Sequence, residues 1–523
     1  MSDRLSASRT ARAAAVLLGA TLYGLALPPW NWACLGWVAL VPLLLVVRGR
    51  SPLWAFGYGA LYGYACSCVV AGWLAQAMSR YFGVGLPLGF LAASGYAVAF
   101  WGGAFGLFAA GAAVLSRSGG SLATCASIPA LWVATELLRG RVCGQPWGLL
   151  GYSQHAHTAL IQIAALTAVY GVSFLIAFGN AAIAEAIALA AARARPRQVL
   201  ATLALPLVLT VPVWAAGALI VQTGPAGGFA ARQVALVQTN LPPAFEWTRA
   251  YTDREVMAHV QATDRLPPMS RLALIVWPEH AVPRYLEDEP LLAAQLGALA
   301  ARHHADILFG SPRYEDGRTY NSVRLITAAG HNGGYYDKQR LVLGAEANSF
   351  TPSAASGASE SPRQFSAGSD PGVIKSFLPL GVSICHEVLF PDLAARAVGA
   401  GAALLVNVSN DGWLDRGSGV ASRQHFAMAV FRAVETRRYL VRAATTGVSG
   451  MIDPYGHVEA TLAPGEVGVL TASVAGRGGL TPYVRLGDAF ACACLLAAVG
   501  ALGARRAAAV RLHPRLAPAP PVS

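Results

Sequence analysis

The sequence predicts a two-part protein: a polytopic α-helical membrane domain with eight transmembrane helices, and an α/β sandwich of two sheets between helical layers (αββα). Three observations predict it. The 523 residues are 55% hydrophobic and only 13% charged, with a mean hydropathy of +0.46, a balance outside the range of soluble chains. Apolar runs long enough to cross about 30 Å of hydrocarbon recur through residues 1–222 and once more near the end. Between them, β-branched runs end in polar clusters and alternate with helical patterns, as buried strands under helices do.

The membrane runs are read as 11–28, 33–47, 54–78, 84–115, 121–138, 159–192, 199–221 and 487–503. The run at 84–115 suits a tilted or extended helix. The first run follows a basic stretch, "MSDRLSASRTAR", as a signal peptide would. It continues into "LALPPWNWACLGW" and a second span without a cleavage site, so it is read as a retained anchor. Arginine placement sets the orientation. With the N-terminus inside, the inside ends collect arginines at 4–12, 48–50, Arg117, 193–197 and 505–515, whereas the outside loops hold only Arg80, Arg139 and Arg141. Both termini are therefore expected in the cytoplasm and the long soluble segment on the opposite face. The expected division is a membrane domain at 1–222, a soluble catalytic domain at 223–486, an eighth helix at 487–507 and a cytoplasmic tail at 508–523.

The net charge of +12 raises nucleic acid as a partner. The arginines stand at the ends of apolar runs, with no basic stripe or interleaved aromatics, and this excludes that class. Of eight cysteines, Cys66, Cys68, Cys492 and Cys494 lie in apolar stretches without His or carboxylate neighbours. They read as small buried hydrophobes, not metal ligands, and no disulfide framework is legible.

Within the soluble segment the expected strands include "ARQVALVQTN", "LALIVWPEH", "DILFGSPRYED", "NSVRLITAAG", "GVSICHE" and "AALLVNVSNDGW". "EPLLAAQLGALAARHHA" and "ASRQHFAMAVFRAVETRRYL" read as helices, and "ITAAGHNGGYYDK" as a hairpin. The Ser/Gly/Pro-rich stretch 351–372 reads as a long loop, of a length typical of lids or disordered segments.

Three ionisable residues close such runs: Glu279 after "LIVWP", Lys338 after "GGYYD" and Cys385 after "GVSI". A thiol needs a base to become a nucleophile near neutral pH, and a cation to stabilise the oxyanion it generates. A carboxylate, an ammonium and a thiol at neighbouring strand ends supply all three roles. Taken singly each is weak, since a strand-end cysteine is more often packing than nucleophile.

The order "WPE", "YDK", "C-x-E", with Tyr320-Asn321 between and "NVSND" after, resembles the nitrilase superfamily. The resemblance implies a nitrilase-like sandwich whose Glu-Lys-Cys triad cleaves or forms carbon–nitrogen bonds through a thioester. Eight spans with such a domain between the seventh and eighth are similar to the apolipoprotein N-acyltransferase family. "LWVATELLRG" (131–140), "PWGLLGYSQ" (146–154), "YGVSFLIAFGNAAIA" (170–184), "QTNLPPAFEW" (238–247), "NVSNDGWL" (407–414) and "GLTPY" (479–483) agree with it.

That resemblance implies a monomeric multi-pass enzyme of the bacterial inner membrane with a periplasmic catalytic domain. It implies a phospholipid as acyl donor and diacylglyceryl-modified apolipoproteins as acceptors, with no metal, nucleotide or other cofactor. Cys385 would carry the acyl chain, Glu279 would act as general base and Lys338 would stabilise the oxyanion. Glu346 and Glu387 match accessory carboxylates of the family, each weighed against a purely structural reading. The family pattern "KxxLVPFGEYVP" is replaced here by "KQRLVLGAEANSF" around Glu346, and this segment is expected to open and close beside the site. Trp247, Trp277 and Trp413 are candidates for a substrate path, against ordinary aromatic packing. Arg139 reads as a structural ion pair with Glu136 or as a headgroup contact. His386 is expected on the far face of the strand. The competing readings are a membrane-anchored amidase of the same superfamily, and a transporter or scaffold with a degenerate catalytic domain.

Overall fold

A two-residue periodicity builds the soluble part. The computed structural model describes residues 8–116, 121–224, 229–244, 247–267, 272–342, 344–347, 364–415 and 417–512. The strands are β1 (Arg232–Gln238), β2 (Leu272–Val276), β3 (Asp306–Glu315), β4 (Arg318–Ile326), β5 (Asn332–Asp337) and β6 (Val373–Lys375). They continue as β7 (Pro379–Ile384), β8 (Leu404–Ser409), β9 (Leu440–Ala444), β10 (Ser449–Ile452), β11 (Val458–Leu462) and β12 (Gly468–Val474). They form two six-stranded sheets, ordered β12-β1-β2-β3-β4-β5 and β11-β10-β9-β8-β7-β6. Each has three parallel strands at its centre, β1-β2-β3 and β7-β8-β9, and antiparallel strands outside them.

Alternate residues separate the layers. Val234, Leu236, Leu274 and Val276 point between the sheets and meet Leu380, Val382, Val406 and Val408. Ala235, Val237 and Ile275 point outward, under the helices Arg249–Asp264 and Pro290–His303. This is the expected αββα sandwich. The "ITAAGHNGGYYDK" segment forms the β4–β5 hairpin, with the Thr327 N–H donating to His331 O at 2.8 Å.

The second sheet is covered by the helix Val420–Thr436. Its far side packs on the membrane part, where Val430, Phe431 and Val434 join one core with Tyr152, Ile161 and Val169. A helix covered on all sides must satisfy its polar groups internally. Gln424 does so with the membrane segments alone. Its Oε1 accepts from Trp147 Nε1 (2.8 Å) and Trp73 Nε1 (3.4 Å), and its Nε2 donates to Pro28 O and Val70 O. Arg432 pairs with Glu435 at 2.7 Å, and Glu435 also accepts the Val169 N–H at 3.0 Å. The sandwich is thereby keyed to the membrane part through hydrogen bonds in an apolar interface.

Among the described residues, five helices are long and apolar enough to cross a membrane: Pro52–Val70, Leu86–Leu115, Val169–Ala191, Pro196–Thr223 and Ala489–Ala508. Arg9–Ala26 and Ser121–Arg141 are comparably long but more polar. Three expected runs end or break differently. Residues 33–47 form a 3-10 turn, Ala33–Trp37, and then a short helix, Val41–Val47. The run 54–78 stops at Val70 before a separate helix, Leu74–Tyr81. The run 159–192 begins with two single-turn helices and restarts at Val169, after Ala168 at φ +53°. Apolarity reports depth in the bilayer, and it is blind to such breaks.

Candidate active site

β7 stops at Ile384, and Cys385, at φ +53°, opens a 3-10 turn, Cys385–Leu389. The thiol therefore stands on a sharp bend beyond the strand. A non-glycine residue in this region costs about 1–3 kcal/mol and persists only where its surroundings over-determine it. Here they do. Glu387 Oε2 accepts the Ile384 N–H (2.8 Å), and Asn407 Nδ2 donates to Cys385 O (3.3 Å) and Ser383 Oγ (3.0 Å).

Glu279 follows β2 at the matching end of the first sheet. A Cβ on Gly310 of β3 would lie 2.6 Å from Glu279 Cα and 2.5 Å from His280 N, so only glycine lets this bend seat against the strand. Glu279 Oε1 accepts from Asn321 Nδ2 (2.8 Å) and Lys338 Nζ (3.3 Å), and Oε2 accepts the Asn410 N–H (2.9 Å). Lys338, directly after β5, is pinned by its N–H to Asn321 O at 2.9 Å. Its Nζ also donates to Glu346 Oε1 at 2.8 Å.

Glu346 reaches the cluster despite its altered flanks. The N–H groups of Ala345, Glu346 and Ala347 all donate to Val342 O, closing a turn, and Glu346 Oε2 accepts the Val342 N–H at 2.9 Å. Glu346 Oε1 further accepts from Asn321 Nδ2 at 2.9 Å. The Tyr81 hydroxyl, from the membrane part, donates to Ala345 O. Of the segment expected to form a lid, residues 343 and 348–363 lie outside the described residues.

Glu387 is a clamp. Its Oε1 accepts the N–H groups of Gln339 (2.7 Å) and Arg340 (3.0 Å) and the Tyr336 hydroxyl (2.9 Å). With the Ile384 contact it ties the Cys385 bend to the residues following Lys338. Burial raises its carboxyl above the usual range.

The electrostatics follow from burial and these partners. Burial works against the Lys338 ammonium, but Glu279 and Glu346 more than offset it and hold it well above the ordinary lysine range. Burial likewise opposes the Glu346 carboxylate, yet Lys338 pulls it down to about 2. Burial and then the Glu279 charge push the Cys385 thiol well up, with Lys338 acting in the opposite direction. The Cys385 thiol is thus held in its neutral form.

The 3-10 turn also corrects the expectation for His386. It lies near Lys338 and Glu346, and burial followed by the Lys338 charge lowers it to about 3. A further network was not legible from the sequence. Ser409 hydrogen-bonds the Cys385 thiol and donates to Asp411 Oδ1 at 2.8 Å. Asp411 is held by Arg442 (2.8 Å) and His425 (3.0 Å). The "NVSND" motif was the signal, but its partners lie on β9 and the covering helix.

Trp247 packs against His280, with ring centroids 5.2 Å apart, and half-buried Trp413 packs against Tyr81 at 6.5 Å, so both border this cluster. Trp277 does not. It is fully buried in the outer layer with Nε1 donating to Thr263, which makes it core packing. Arg139 forms no ion pair with Glu136 among the described residues. Its guanidinium lies over Trp101 (4.3 Å) and donates to Trp147 O (3.0 Å), whereas Glu136 accepts from Trp132 and Leu150. The helix turns the two side chains toward different neighbours.

Residues 19–182 match the apolipoprotein N-acyltransferase N-terminal domain, and residues 233–483 match the carbon-nitrogen hydrolase domain. A protein of Geobacter metallireducens named apolipoprotein N-acyltransferase is 34% identical over 94% of this chain and 95% of its own length. One of the same name from Methylococcus capsulatus is also 34% identical over 94% and 95%. A third, from Pseudomonas aeruginosa, is 31% identical over 90% and 91%.

Proposed function

Because the chain belongs to the apolipoprotein N-acyltransferase family, we propose that Cys385 carries the acyl group between a phospholipid and the α-amino group of a diacylglyceryl-cysteine. In the first half-reaction the Cys385 S–H proton passes to Glu279 as sulfur attacks the sn-1 carbonyl carbon. The tetrahedral oxyanion forms beside the Lys338 ammonium. The C–O bond then breaks, and the lysophospholipid alkoxide takes the proton back from Glu279. In the second, the amine attacks the thioester and gives its proton to Glu279. The C–S bond breaks, and the departing thiolate takes that proton from Glu279, which restores both groups. Glu346 and Glu387 are positioning residues, the first through Lys338 and Asn321, the second through the backbone on both sides of the site.

The observation that carries this reading is the buried Glu279–Lys338–Glu346 cluster beside a thiol held on a sharp bend, with Tyr81 of the membrane part bonded to the turn that carries Glu346. An ester donor already holds the activation, so this chemistry calls for no cofactor. The five long apolar helices, together with Arg9–Ala26, Ala33–Val47 and Ser121–Arg141, give the proposed eight spans. The domain division is proposed at 222/223 and 486/487, in the bacterial inner membrane, with a periplasmic sandwich and cytoplasmic termini as the arginine asymmetry supports. The amidase alternative gains nothing from the Gln424 and Glu435 contacts that key the sandwich to the membrane.

The test supplies phospholipid isotopically labelled in the sn-1 chain, with a diacylglyceryl-cysteine peptide as acceptor. Label should appear as an amide on the peptide N-terminus. Label released only as free fatty acid would favour a hydrolase, and label arriving from sn-2 would contradict the donor assignment.

A further inference from the structure

At the opposite ends of the parallel strands from Cys385, two guanidinium groups flank one tyrosine, and a third is buried close by. Arg437, which ends the helix Val420–Thr436, lies 5.0 Å from the Tyr455 ring centroid, and Arg477 lies 5.6 Å from it. Arg438 is buried alongside and is bonded only to backbone carbonyls, among them Ala402 O and Gly479 O. None of the three forms an ion pair with a carboxylate among the described residues. Asp453, whose charge reaches Arg437, is engaged by His457 at 2.9 Å. Burial, with the Arg477 charge, lowers Arg437 and Arg438 to about 10, so both remain cationic near neutral pH. Gathering like charges without a counter-ion is unfavourable, and an anion shared between them relieves it.

Through Gln162 the same cluster is joined to the segment that carries an apolar groove. Arg437 donates to Gln162 Oε1 at 2.5 Å, and Gln162 Nε2 donates to Tyr455 O at 2.9 Å. Two residues before Gln162, Leu160 lines a groove of about 360 Å³ together with Trp37, His157, Val211 and Trp214. Thr210, on its wall, carries a buried hydroxyl oxygen without a partner. The groove runs along the helix Pro196–Thr223. About 20 residues cross the hydrocarbon, so Val211 falls near the midplane and Trp214 in the leaflet on the sandwich side. An acyl chain there would run toward the lipid–water boundary on the sandwich side, where Gln162 of the membrane part meets Arg437.

We propose that this groove and the Arg437–Arg477 pair bind an anionic phospholipid, chain in the groove and phosphate at the guanidinium groups. The site is distinct from the acyl donor site. Leu440 pairs with Leu405 and Ala444 with Ser409 across β9 and β8, so a strand length of about 16 Å separates the arginine end from the Cys385 end. The lipid would bridge the sandwich and the membrane helices at the edge that Gln424 does not reach.

Native mass spectrometry of the full-length protein from micelles holding equal phosphatidylglycerol and phosphatidylcholine tests this. One phosphatidylglycerol should be retained in preference. A basic residue near an anionic lipid is worth about fivefold in affinity, so R437Q/R477Q should lose about thirtyfold of that preference. Arg477→Gln alone gives up only the bond to Tyr455 and should lose about fivefold, a check if the double variant folds poorly. Trp214→Ala, on an exposed helix face, should lower retention of the lipid while keeping the preference for phosphatidylglycerol. Equal retention of the two lipids, or an unchanged preference in the arginine variants, would overturn the proposal. So would stabilisation by millimolar inorganic phosphate equal to that by phosphatidylglycerol, since the site would then recognise a free anion.

Discussion

Replacing Glu346 by Gln removes one charge from a buried cluster and little else. Glu346 Oε1 lies 2.8 Å from Lys338 Nζ, where two unit charges attract by about 6 kcal/mol at an effective dielectric of 20. Most of that offsets desolvation. What the variant loses is the difference between a charged and a neutral acceptor, about 1 kcal/mol, because charge-assisted bonds are roughly twice as strong. A second loss arises at Oε2, which accepts the Val342 N–H at 2.9 Å. An amide NH2 turned toward that N–H leaves a donor unsatisfied, at about 1 kcal/mol or more. The turn carrying residue 346 then relaxes, and Lys338 and Asn321 lose a fixed partner. A total near 2 kcal/mol at the transition state corresponds to about thirtyfold in rate. Thioester formation and transfer to the amine, each measured in single turnover, should both slow by about ten- to a hundredfold, with KM for phospholipid little changed. Wild-type rates in both half-reactions would refute the positioning role, and Glu346 would then be an incidental buried charge.

Other outcomes follow from the same geometry. Lys338→Ala should lower turnover by about 10²–10³, the usual effect of removing an oxyanion donor, as read in steady-state kinetics. Gln424→Leu strands the Trp147 N–H and two backbone carbonyls in an apolar interface, so thermal unfolding should report a loss of about 2–4 kcal/mol. His386 titrates at about 3 in the folded protein, lowered by burial and by Lys338, and near 6.5 unfolded. In that window the unfolded state binds the extra proton, so stability falls as pH drops from about 6.5 toward 3. His386→Gln should flatten that part of the stability–pH curve, and an unchanged slope would argue against it.

The sandwich was legible because its strands alternate or run apolar to a polar end, and the ends of those runs are where Glu279, Lys338 and Cys385 stand. The resemblance then singled these three out from many strand-end residues. Other features were hidden for physical reasons. The bend at Cys385 depends on a carboxylate two residues later and an asparagine on β8, so a strand pattern extends one residue too far and misplaces His386. Gln424 and His425 lie on a helix covered on both faces, where no amphipathic stripe marks which side meets the membrane. Asp411 needs Arg442 and His425, residues far away in sequence, before its role is visible. Trp277, two residues before Glu279, reads as a site residue, but it continues the alternation outward after inward-facing Val276, and only the bend that follows β2 brings Glu279 back to the site.

The proposed mechanism turns on Cys385 becoming acylated. Incubating the purified enzyme with a phospholipid of defined sn-1 chain, without acceptor, and measuring the intact mass tests it most directly. The mass should increase by one acyl group that maps to Cys385, disappears on adding a diacylglyceryl-cysteine peptide, and is absent from Cys385→Ala. A fully active enzyme with no adduct under single-turnover quench, or an equal adduct on Cys385→Ala, would contradict it.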